Sequence, residues 1–426
     1  MAQPQTVADA NRDLISHLPA EIKDRILECL PTRDAARTAL LSTHWNDAWL
    51  RHGRLVFDFN FFWHFRESKG YTLLPFVQII TRILLQRIPP VKKFSLAIPS
   101  LELLDPKLEQ SALDQWFHFL SRNGVEELRI SNGGNVTPYK LPLCIVSCPT
   151  IKQLRLCNVY FDFPLNAPCI FPCVTSLEFF SVAFSHNVNG IVYSIPNLEK
   201  LYLSNCRWIS NFKISAPKLE SLSITGCIYE FGFICKFESS WFALHLRAIK
   251  VLCMVGGLFL NWRDAVVASF PTAINLQVLK LHSFEFASEK HLKGVLQLLQ
   301  KSPNLCELEI TGYDEIEEDD DMEDDFMEDN DIEAASRLLK DPESCIINQD
   351  LKVLKTIKIK LFCRSPVEML FMKMLLSKSP ILERVVITEY RYIKDGCTVI
   401  KFLRELQCFP RASPKAQIVI KGKNYA

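Results

Sequence analysis

Apolar residues recur along most of the chain in the short pattern apolar-x-x-apolar-x-apolar, where x is any residue. Each copy thus contains a triplet of apolar residues. The alternation within each triplet predicts a short strand that turns the last two apolar side chains inward. The central residues of nine copies step by 34, 26, 23, 24, 21, 27, 30 and 29 positions, as expected of an array in which each repeat stacks on its neighbours. The nine triplets are Val91/Phe94/Leu96, Val125/Leu128/Ile130, Ile151/Leu154/Leu156, Val174/Leu177/Phe179, Leu198/Leu201/Leu203, Leu219/Leu222/Ile224, Leu246/Ile249/Val251, Leu276/Leu279/Leu281 and Leu305/Leu308/Ile310.

The series continues after an unusually long step of 49 positions from Leu308. The run from Asp314 to Asp331 lies in that step and carries thirteen Asp and Glu but no Lys or Arg. Charge repulsion should keep such a run out of a core, so we expect a disordered acidic insertion within one repeat at about residues 314–331. The alternative is a docking arm for a basic partner, with Phe326 as a small apolar anchor. The two later triplets are Leu354/Ile357/Ile359 and Leu382/Val385/Ile387.

Between Leu14 and Leu50 the apolar residues follow helical spacing instead and predict three short helices. Pro19 suits the first turn of helix one, Pro31 ends that helix, and Thr32 can cap the next one with Asp34 in its first turn. Three helices this short bury their own apolar faces poorly, so either the rest of the chain or a partner must cover them. The apolar positions are Ile22, Ile26, Leu27 and Leu30 in the first segment, Leu40 and Leu41 in the second, and Trp45 and Trp49 in the third.

The segment HLPAEIKDRILECLPTRDAARTALLSTHWNDAWL resembles the F-box, with its Leu-Pro start, its Ile-Leu-x-x-Leu-Pro middle and its Leu-Ser-x-x-Trp close. LVFD at Leu55 to Asp58 follows, as is usual after plant F-boxes of this kind. Thr43-His44 replaces the usual basic pair before the first Trp. In that family the module docks on a Skp-type adaptor, which bridges to a cullin. The adaptor-facing residues that the resemblance implies are Leu18, Pro19, Ile22, Ile26, Leu27, Leu30 and Pro31, and those that pack the module are Leu40, Leu41, Trp45 and Trp49.

The repeats resemble the irregular leucine-rich repeats of plant F-box proteins, and the chain from about Asp350 resembles the FBD segment that often follows them. The phrases LLSKSPILERVVI and FLRELQCFPRASPKAQIVI carry the second resemblance. Phe371, Leu375 and Leu376 fit one face of a helix, and Ala416 to Lys421 fits a closing strand. The resemblance implies an α/β fold in which a curved parallel sheet forms a leucine-rich-repeat solenoid. The expected divisions are a flexible tail at 1–12, the F-box at 13–58, the solenoid at 59–349, and an FBD-like segment at 350–426 that continues and caps the solenoid.

Composition and motifs exclude several classes of function. Outside the acidic run the charge balance is 49 − 35 = +14, which is too diffuse to predict a nucleic-acid partner. The start lacks the features of a signal peptide and the chain has no long apolar run, so no membrane is expected and the location should be cytoplasmic or nuclear. The fifteen scattered Cys indicate reduced thiols. Cys144/Cys148 and Cys169/Cys173 lack the spacing of a zinc site, and we find no catalytic motif, so neither a metal, a cofactor nor an enzyme is predicted.

Two functions remain after these exclusions. The first is the substrate-recognition subunit of a Skp-cullin-F-box E3 ubiquitin ligase, with an unidentified protein target on the repeats. The second is a leucine-rich-repeat interaction or sequestering protein outside any ligase. No residue is assigned to the target, and the exposed strand positions show no run of Arg that would indicate a phosphorylated one. Those positions include Lys200, Tyr202, Glu220, Ser221 and Ser223.

Overall fold

The computed structural model divides the chain into two compact units, Met1–Ser185 and His186–Ala426. It describes residues 13–63, 74–98, 106–133, 139–164, 167, 169–186, 190–226, 229–230, 233–234, 244–261, 270–313, 329–340, 349–389 and 404–421.

The first unit begins with the three predicted helices and continues into a parallel sheet of order β1-β2-β3-β5-β7. A smaller sheet has the order β4-β6-β8. Its helices are α1 (Ala20–Cys29), α2 (Thr32–Thr38), α3 (Thr43–Arg51), α4 (Leu74–Leu85), α5 (Pro106–Arg122) and α6 (Leu143–Val146). Its strands are β1 (Arg54–Phe57), β2 (Lys93–Ile98), β3 (Glu127–Asn132), β4 (Tyr139–Lys140), β5 (Gln153–Cys157), β6 (Val159–Phe161), β7 (Ser176–Phe180) and β8 (Ala183–Phe184).

The second unit contains a parallel sheet of order β10-β12-β15-β16-β17-β18-β19-β20. Strands β9 and β11 form a parallel pair, and β13 and β14 an antiparallel pair. Its strands are β9 (Tyr193–Ser194), β10 (Lys200–Ser204), β11 (Ile214–Ser215), β12 (Ser221–Thr225), β13 (Tyr229–Glu230), β14 (Phe233–Ile234), β15 (Val251–Val255), β16 (Val278–Phe284), β17 (Glu307–Gly312), β18 (Thr356–Phe362), β19 (Arg384–Glu389) and β20 (Gln417–Lys421). Its helices are α7 (Glu289–Gln300), α8 (Asp329–Lys340) and α9 (Pro366–Lys378), with 3-10 turns at Ile209–Asn211 and Gly256–Asn261.

The triplet pattern locates the strands with one error. In ten of the eleven triplets the second and third apolar residues lie inside a strand and are buried. The triplet Leu246/Ile249/Val251 is wrong by three positions, because Leu252 and Met254 are the buried residues of β15, whereas Val251 is only half-buried. Leu246/Ile249/Val251 and Ile249/Leu252/Met254 both fit the triplet pattern, so spacing alone could not choose between these two registers.

Three strands, two in the first unit and one in the second, are each followed by a residue whose backbone is left-handed. Asn158 follows β5 at φ 55°, Ser181 follows β7 at φ 51°, and Asn205 follows β10 at φ 51°. Asn adopts this conformation more readily than most residues. The backbone N–H of Asn158 donates to the Phe180 carbonyl at 3.0 Å, and that of Asn205 to the Thr225 carbonyl at 3.0 Å. The chain therefore leaves each of β5 and β10 while its backbone is still bonded to the next repeat.

The long step in the repeat series does not interrupt the sheet. Strand β17 pairs directly with β18, and Leu308 lies opposite Ile357. Residues 329–331, the end of the acidic run, belong to α8, so the expectation of disorder is wrong for them. The rest of the expected insertion, residues 314–328, lies outside the described residues, as does the expected tail at 1–12.

The predicted helix and closing strand near the C-terminus are both present. Helix α9 begins with a capping box in which the Ser365 side chain accepts from the Glu368 N–H at 3.3 Å, and the Glu368 carboxylate accepts from the Ser365 N–H at 2.7 Å. Phe371 is fully buried on this helix. Strand β20 pairs in parallel with β19. The solenoid form of the sheet and the capping role of residues 350–426 stay predictions.

Candidate functional site

The three-helix module has a core of its own. Leu27, Ala35, Trp45 and Trp49 are buried. Ser42 caps α3, because its hydroxyl accepts a hydrogen bond from the Trp45 N–H at 3.4 Å. The structure thus brings both Trp residues of the predicted packing set into the interior.

Thr32 differs from the prediction that it caps the second helix. Pro31 holds the capping position at φ −57° and ψ 146°, and Thr32 is the first residue of α2. The Thr32 hydroxyl instead accepts from the Val56 N–H at 2.9 Å. Because its hydroxyl is bonded to β1, Thr32 connects the module to the first strand of the sheet.

The residues predicted to face an adaptor divide by burial. Leu27 is fully buried, so its assignment to the adaptor-facing set is wrong. Leu27 lies four positions after Lys23, which is also buried, so these two side chains share one face of α1. Ile22 and Ile26 lie on the adjoining face and are 46% and 37% exposed. Pro19 and Pro31 are exposed as well, and Leu18 and Leu30 are half-buried.

Leu40 and Leu41 were predicted to pack the module, and that prediction is wrong. They are 87% and 64% exposed. Helix α2 ends at Thr38, and the two leucines lie in the turn that follows, so no helix face directs them into the core. Helical spacing misled the prediction because it assumed that the second helix continues past this point.

Exposed apolar side chains are concentrated on this module. Of the 17 large apolar residues that are exposed in the described part of the chain, six lie within 28 residues of one another. The module therefore exposes several large apolar side chains although other apolar residues of it are buried, and contiguous exposed apolar side chains mark sites of protein association. The six are Leu14, Ile15, Ile22, Ile26, Leu40 and Leu41.

A buried arginine attaches the module to the first repeat. Arg87 follows α4, and its guanidinium donates to the carbonyls of Trp49 and His52, the second at 3.4 Å. The same guanidinium lies 3.7 Å from the centroid of the Trp49 ring. Burial lowers the pKa of Arg87 to about 10, so it stays charged at neutral pH. Arg54, at the start of β1, makes a second connection, because its guanidinium donates to the Glu28 carbonyl near the end of α1.

Replacing Arg87 with Met should lower the free energy of unfolding of the first unit by about 2 kcal/mol, because charge-assisted hydrogen bonds and a desolvated cation–π contact are lost together. Urea titration with hydrogen-exchange protection of α3 as the local probe would measure it. Arg82→Met removes an exposed charge from α4 and is the matched control. Equal stability of the two variants would contradict the structural role of Arg87.

The strands of the second unit offer a different kind of surface. We call the sheet face that carries the side chains between the buried positions the open face. Tyr202 and Ser223 are paired across β10 and β12 on this face, and the Thr225 hydroxyl donates to the Tyr202 hydroxyl at 3.2 Å. Lys200 is exposed and pairs in register with half-buried Ser221. The face is therefore lined by hydroxyl groups at β10 and β12.

Glu220, the remaining position singled out in the sequence, precedes β12. Its carboxylate forms an exposed ion pair with Lys250 at 2.7 Å. Exposed pairs of this kind contribute little to stability. Neither residue has a geometry that singles it out for target binding.

The described residues show no arrangement for metal chemistry, since no group of three or more His, Cys, Asp or Glu among them could hold an ion. The eleven cysteines in the described ranges are free thiols. None of the helices in those ranges combines the length and apolar character needed to cross a membrane.

Two family models match the chain. The F-box domain model matches residues 15–57, and the model described as FBD-associated F-box protein At5g56370, LRR repeats, matches residues 113–236. Neither description refers to an enzyme. The first match includes the whole three-helix module, and the second includes β5, β7, β10 and β12.

Relatives from Arabidopsis thaliana extend the similarity. F-box/FBD/LRR-repeat protein At1g13570 is 28% identical over 96% of this chain and 98% of its own length. F-box/FBD/LRR-repeat protein At5g56420 is 27% identical over 50% of the chain and 49% of its own length. FBD-associated F-box protein At5g56380 is 30% identical over 50% of the chain and 48% of its own length. These matches confirm the resemblance inferred from the sequence.

Proposed function

We propose that this chain, a relative of the plant F-box/FBD/leucine-rich-repeat proteins, is the substrate-recognition subunit of a Skp-cullin-F-box ubiquitin ligase. The observation that carries the proposal is the apolar surface of the three-helix module. Ile22, Ile26, Leu40 and Leu41 are exposed although Leu27, Ala35, Trp45 and Trp49 of the same module are buried, which is the state expected of a surface that a partner covers. A Skp-type adaptor is the partner that F-box domains generally bind.

The chain performs no chemistry in this proposal and acts by bringing two proteins together. The F-box holds the adaptor and through it the cullin, while the repeats hold a protein target. Confinement on one assembly raises the effective concentration of the target near the ubiquitin-conjugating machinery without any new contact between them. The attachment through Arg87 supports this role, because a buried, hydrogen-bonded connection between the F-box and the first repeat restricts the positions that a bound target can occupy.

Co-assembly of the purified full-length chain with a Skp-type adaptor and a cullin tests the proposal. We expect a three-protein complex in size-exclusion chromatography, and we expect the cullin to join only when adaptor is present. Adaptor binding without cullin recruitment would favour the sequestering alternative. Failure of the folded chain to bind any Skp-type adaptor would overturn the proposal.

A further inference from the structure

The open face of the second unit ends in a basic depression across β17 to β20. The depression has a volume of about 340 Å³. Parallel pairing places its lining on three successive rungs: Glu307 with Thr356 and Arg384, then Lys358 with Val386, then Lys360 with Thr388 and Lys421. Side chains at paired positions of neighbouring strands point to the same side of a sheet, and strands lie about 4.8 Å apart. These residues therefore face one another across a short distance although they are far apart in sequence.

Two of the four cations in this depression are already paired. Lys358 Nζ lies 2.6 Å from Glu307 Oε1, and Lys360 Nζ contacts Glu309 Oε1. Glu309 is only 8% exposed and also lies 3.6 Å from Lys280. Burial alone would raise the pKa of Glu309, but the hydrogen bond from Lys360 and the nearby lysine charges outweigh it and hold that pKa below its usual value. The Glu309 carboxylate is therefore ionised at neutral pH, and Glu307 and Glu309 each pair with one lysine of the depression.

Arg384 and Lys421 make no ion pair or side-chain hydrogen bond within the described ranges, and both are exposed. Register places them on adjacent strands, four positions apart, which corresponds to roughly 13 Å along the strands. Val386 lies on the rung between them, and Thr388 is the partner of Lys421 on the last rung. Within the described residues, the depression thus has a cation without an ion pair toward each end, and Val386 with the paired Lys358 lies between them.

We propose that this depression binds an extended acidic segment of a protein, with one anionic group on Arg384 and a second on Lys421. Arg pairs with carboxylate and phosphate through a planar fork of donors, so both kinds of anion fit the site. A strand-like segment repeats its side chains on one face about every 6.6 Å, so groups four positions apart span the two cations. The inference rests on the proposed function only in that the segment belongs to a target on the repeats.

The lining favours a peptide over a nucleic acid. Single-stranded nucleic acids are held by aromatic side chains on which their bases stack, and none of the described residues that line the depression is aromatic. Glu307 would also repel a continuous phosphate backbone, whereas a peptide can place a neutral residue beside it. An acidic peptide is therefore the ligand to which the charges and the shape correspond.

Fluorescence anisotropy of labelled ten-residue peptides with the full-length chain tests this assignment. One peptide carries Glu at two positions four apart, a second carries phosphoserine at the same positions, and a third carries Gln. We expect the Gln peptide to bind at least tenfold more weakly than one of the others, and the stronger of the two anions identifies the source of the charge. The run at 314–331 is itself acidic and could compete with the peptides for the depression. Each titration is therefore repeated with a variant of the chain in which the Asp and Glu residues of that run are replaced by Asn and Gln.

The double variant Arg384→Gln/Lys421→Gln should weaken the anionic peptide at least tenfold. Lys352→Gln/Lys373→Gln removes two exposed cations of the second unit that do not line the depression, and it should leave the affinity within twofold. If both variants weakened peptide binding equally, the binding would be due to nonspecific electrostatic attraction, and the proposal would be overturned. Tighter binding of single-stranded DNA with the same dependence on Arg384 would overturn the choice of a peptide.

The same preparations separate this inference from the proposed function. Adaptor binding is measured on each variant, and we expect it to be unchanged by Arg384→Gln/Lys421→Gln. Peptide binding without adaptor binding would remove the ligase assignment and leave the acidic-peptide site in place. Adaptor binding without selective peptide binding would do the opposite.

Discussion

The double substitution Ile22→Glu/Ile26→Glu should weaken binding of a Skp-type adaptor by on the order of 100-fold or more. Each apolar anchor at the centre of an interface typically contributes about 2 kcal/mol or more, and the variant also places two charges in a surface from which water is excluded. Both side chains are substantially exposed in the unbound chain, and Glu is a good helix former, so the free energy of unfolding should change by less than about 1 kcal/mol. Isothermal titration with the adaptor, together with urea unfolding of the chain alone, would measure the two quantities.

Ile274→Glu/Ile381→Glu is the matched control for this experiment. These residues are as exposed as Ile22 and Ile26 but lie in the second unit. We expect the control to bind the adaptor as the parent chain does. Comparable loss in the control would show that added negative charge, not the F-box surface, weakens the complex.

Acidification from pH 7 to pH 4 should cost the second unit about 3 kcal/mol through His291 alone. This side chain is 3% exposed, its Nδ1 accepts from the Glu285 N–H at 3.1 Å, and its buried Nε2 has no partner within the described residues. Burial, which that one hydrogen bond only partly offsets, lowers the pKa of His291 to about 4 from the model-peptide value of 6.5. Below pH 6.5 His291 binds a proton in the unfolded chain but stays neutral in the folded chain until the pH approaches 4. The free energy of unfolding therefore falls as the pH drops from 6.5 to 4 and levels off below pH 4.

Urea titrations at pH 7, 5.5 and 4 compare the parent chain with His291→Gln. Gln can accept the same backbone hydrogen bond but does not titrate, so the variant should lose about 3 kcal/mol less between pH 7 and pH 4. His186→Gln changes an exposed histidine of the same unit and should follow the parent chain. An identical pH dependence of all three proteins would contradict a buried neutral His291.

Strand positions could be read from the sequence because each buried pair, such as Leu308 and Ile310, is encoded within one short alternating segment. Helix ends were harder to predict. Whether Leu40 and Leu41 are buried or exposed depends on where α2 ends, and a single apolar pair in the sequence does not indicate the end of a helix. The spacing also could not separate Leu27, which is buried, from Ile26 beside it, which is exposed.

The basic depression escaped prediction for a different reason. Lys358 and Lys360 lie on β18, Arg384 on β19 and Lys421 on β20, and no stretch of the sequence shows all four together. Only the register between neighbouring strands brings them to one face. A basic site encoded as a run of Arg would be visible in the sequence, whereas the structure assembles these cations from positions spread over three successive strands.

The pairing of β17 with β18 shows how freely this kind of chain can change in length. Leu279 and Leu308 are partners 29 positions apart, whereas Leu308 and Ile357 are partners 49 positions apart. By loop-closure entropy the longer connection costs only about 0.5 kcal/mol more, less than burying one additional methylene group returns. Evolution can therefore insert or delete whole segments between strands at almost no thermodynamic cost. We therefore expect relatives of this chain to differ in length and loop composition while they keep the same pairing of strands in the sheet.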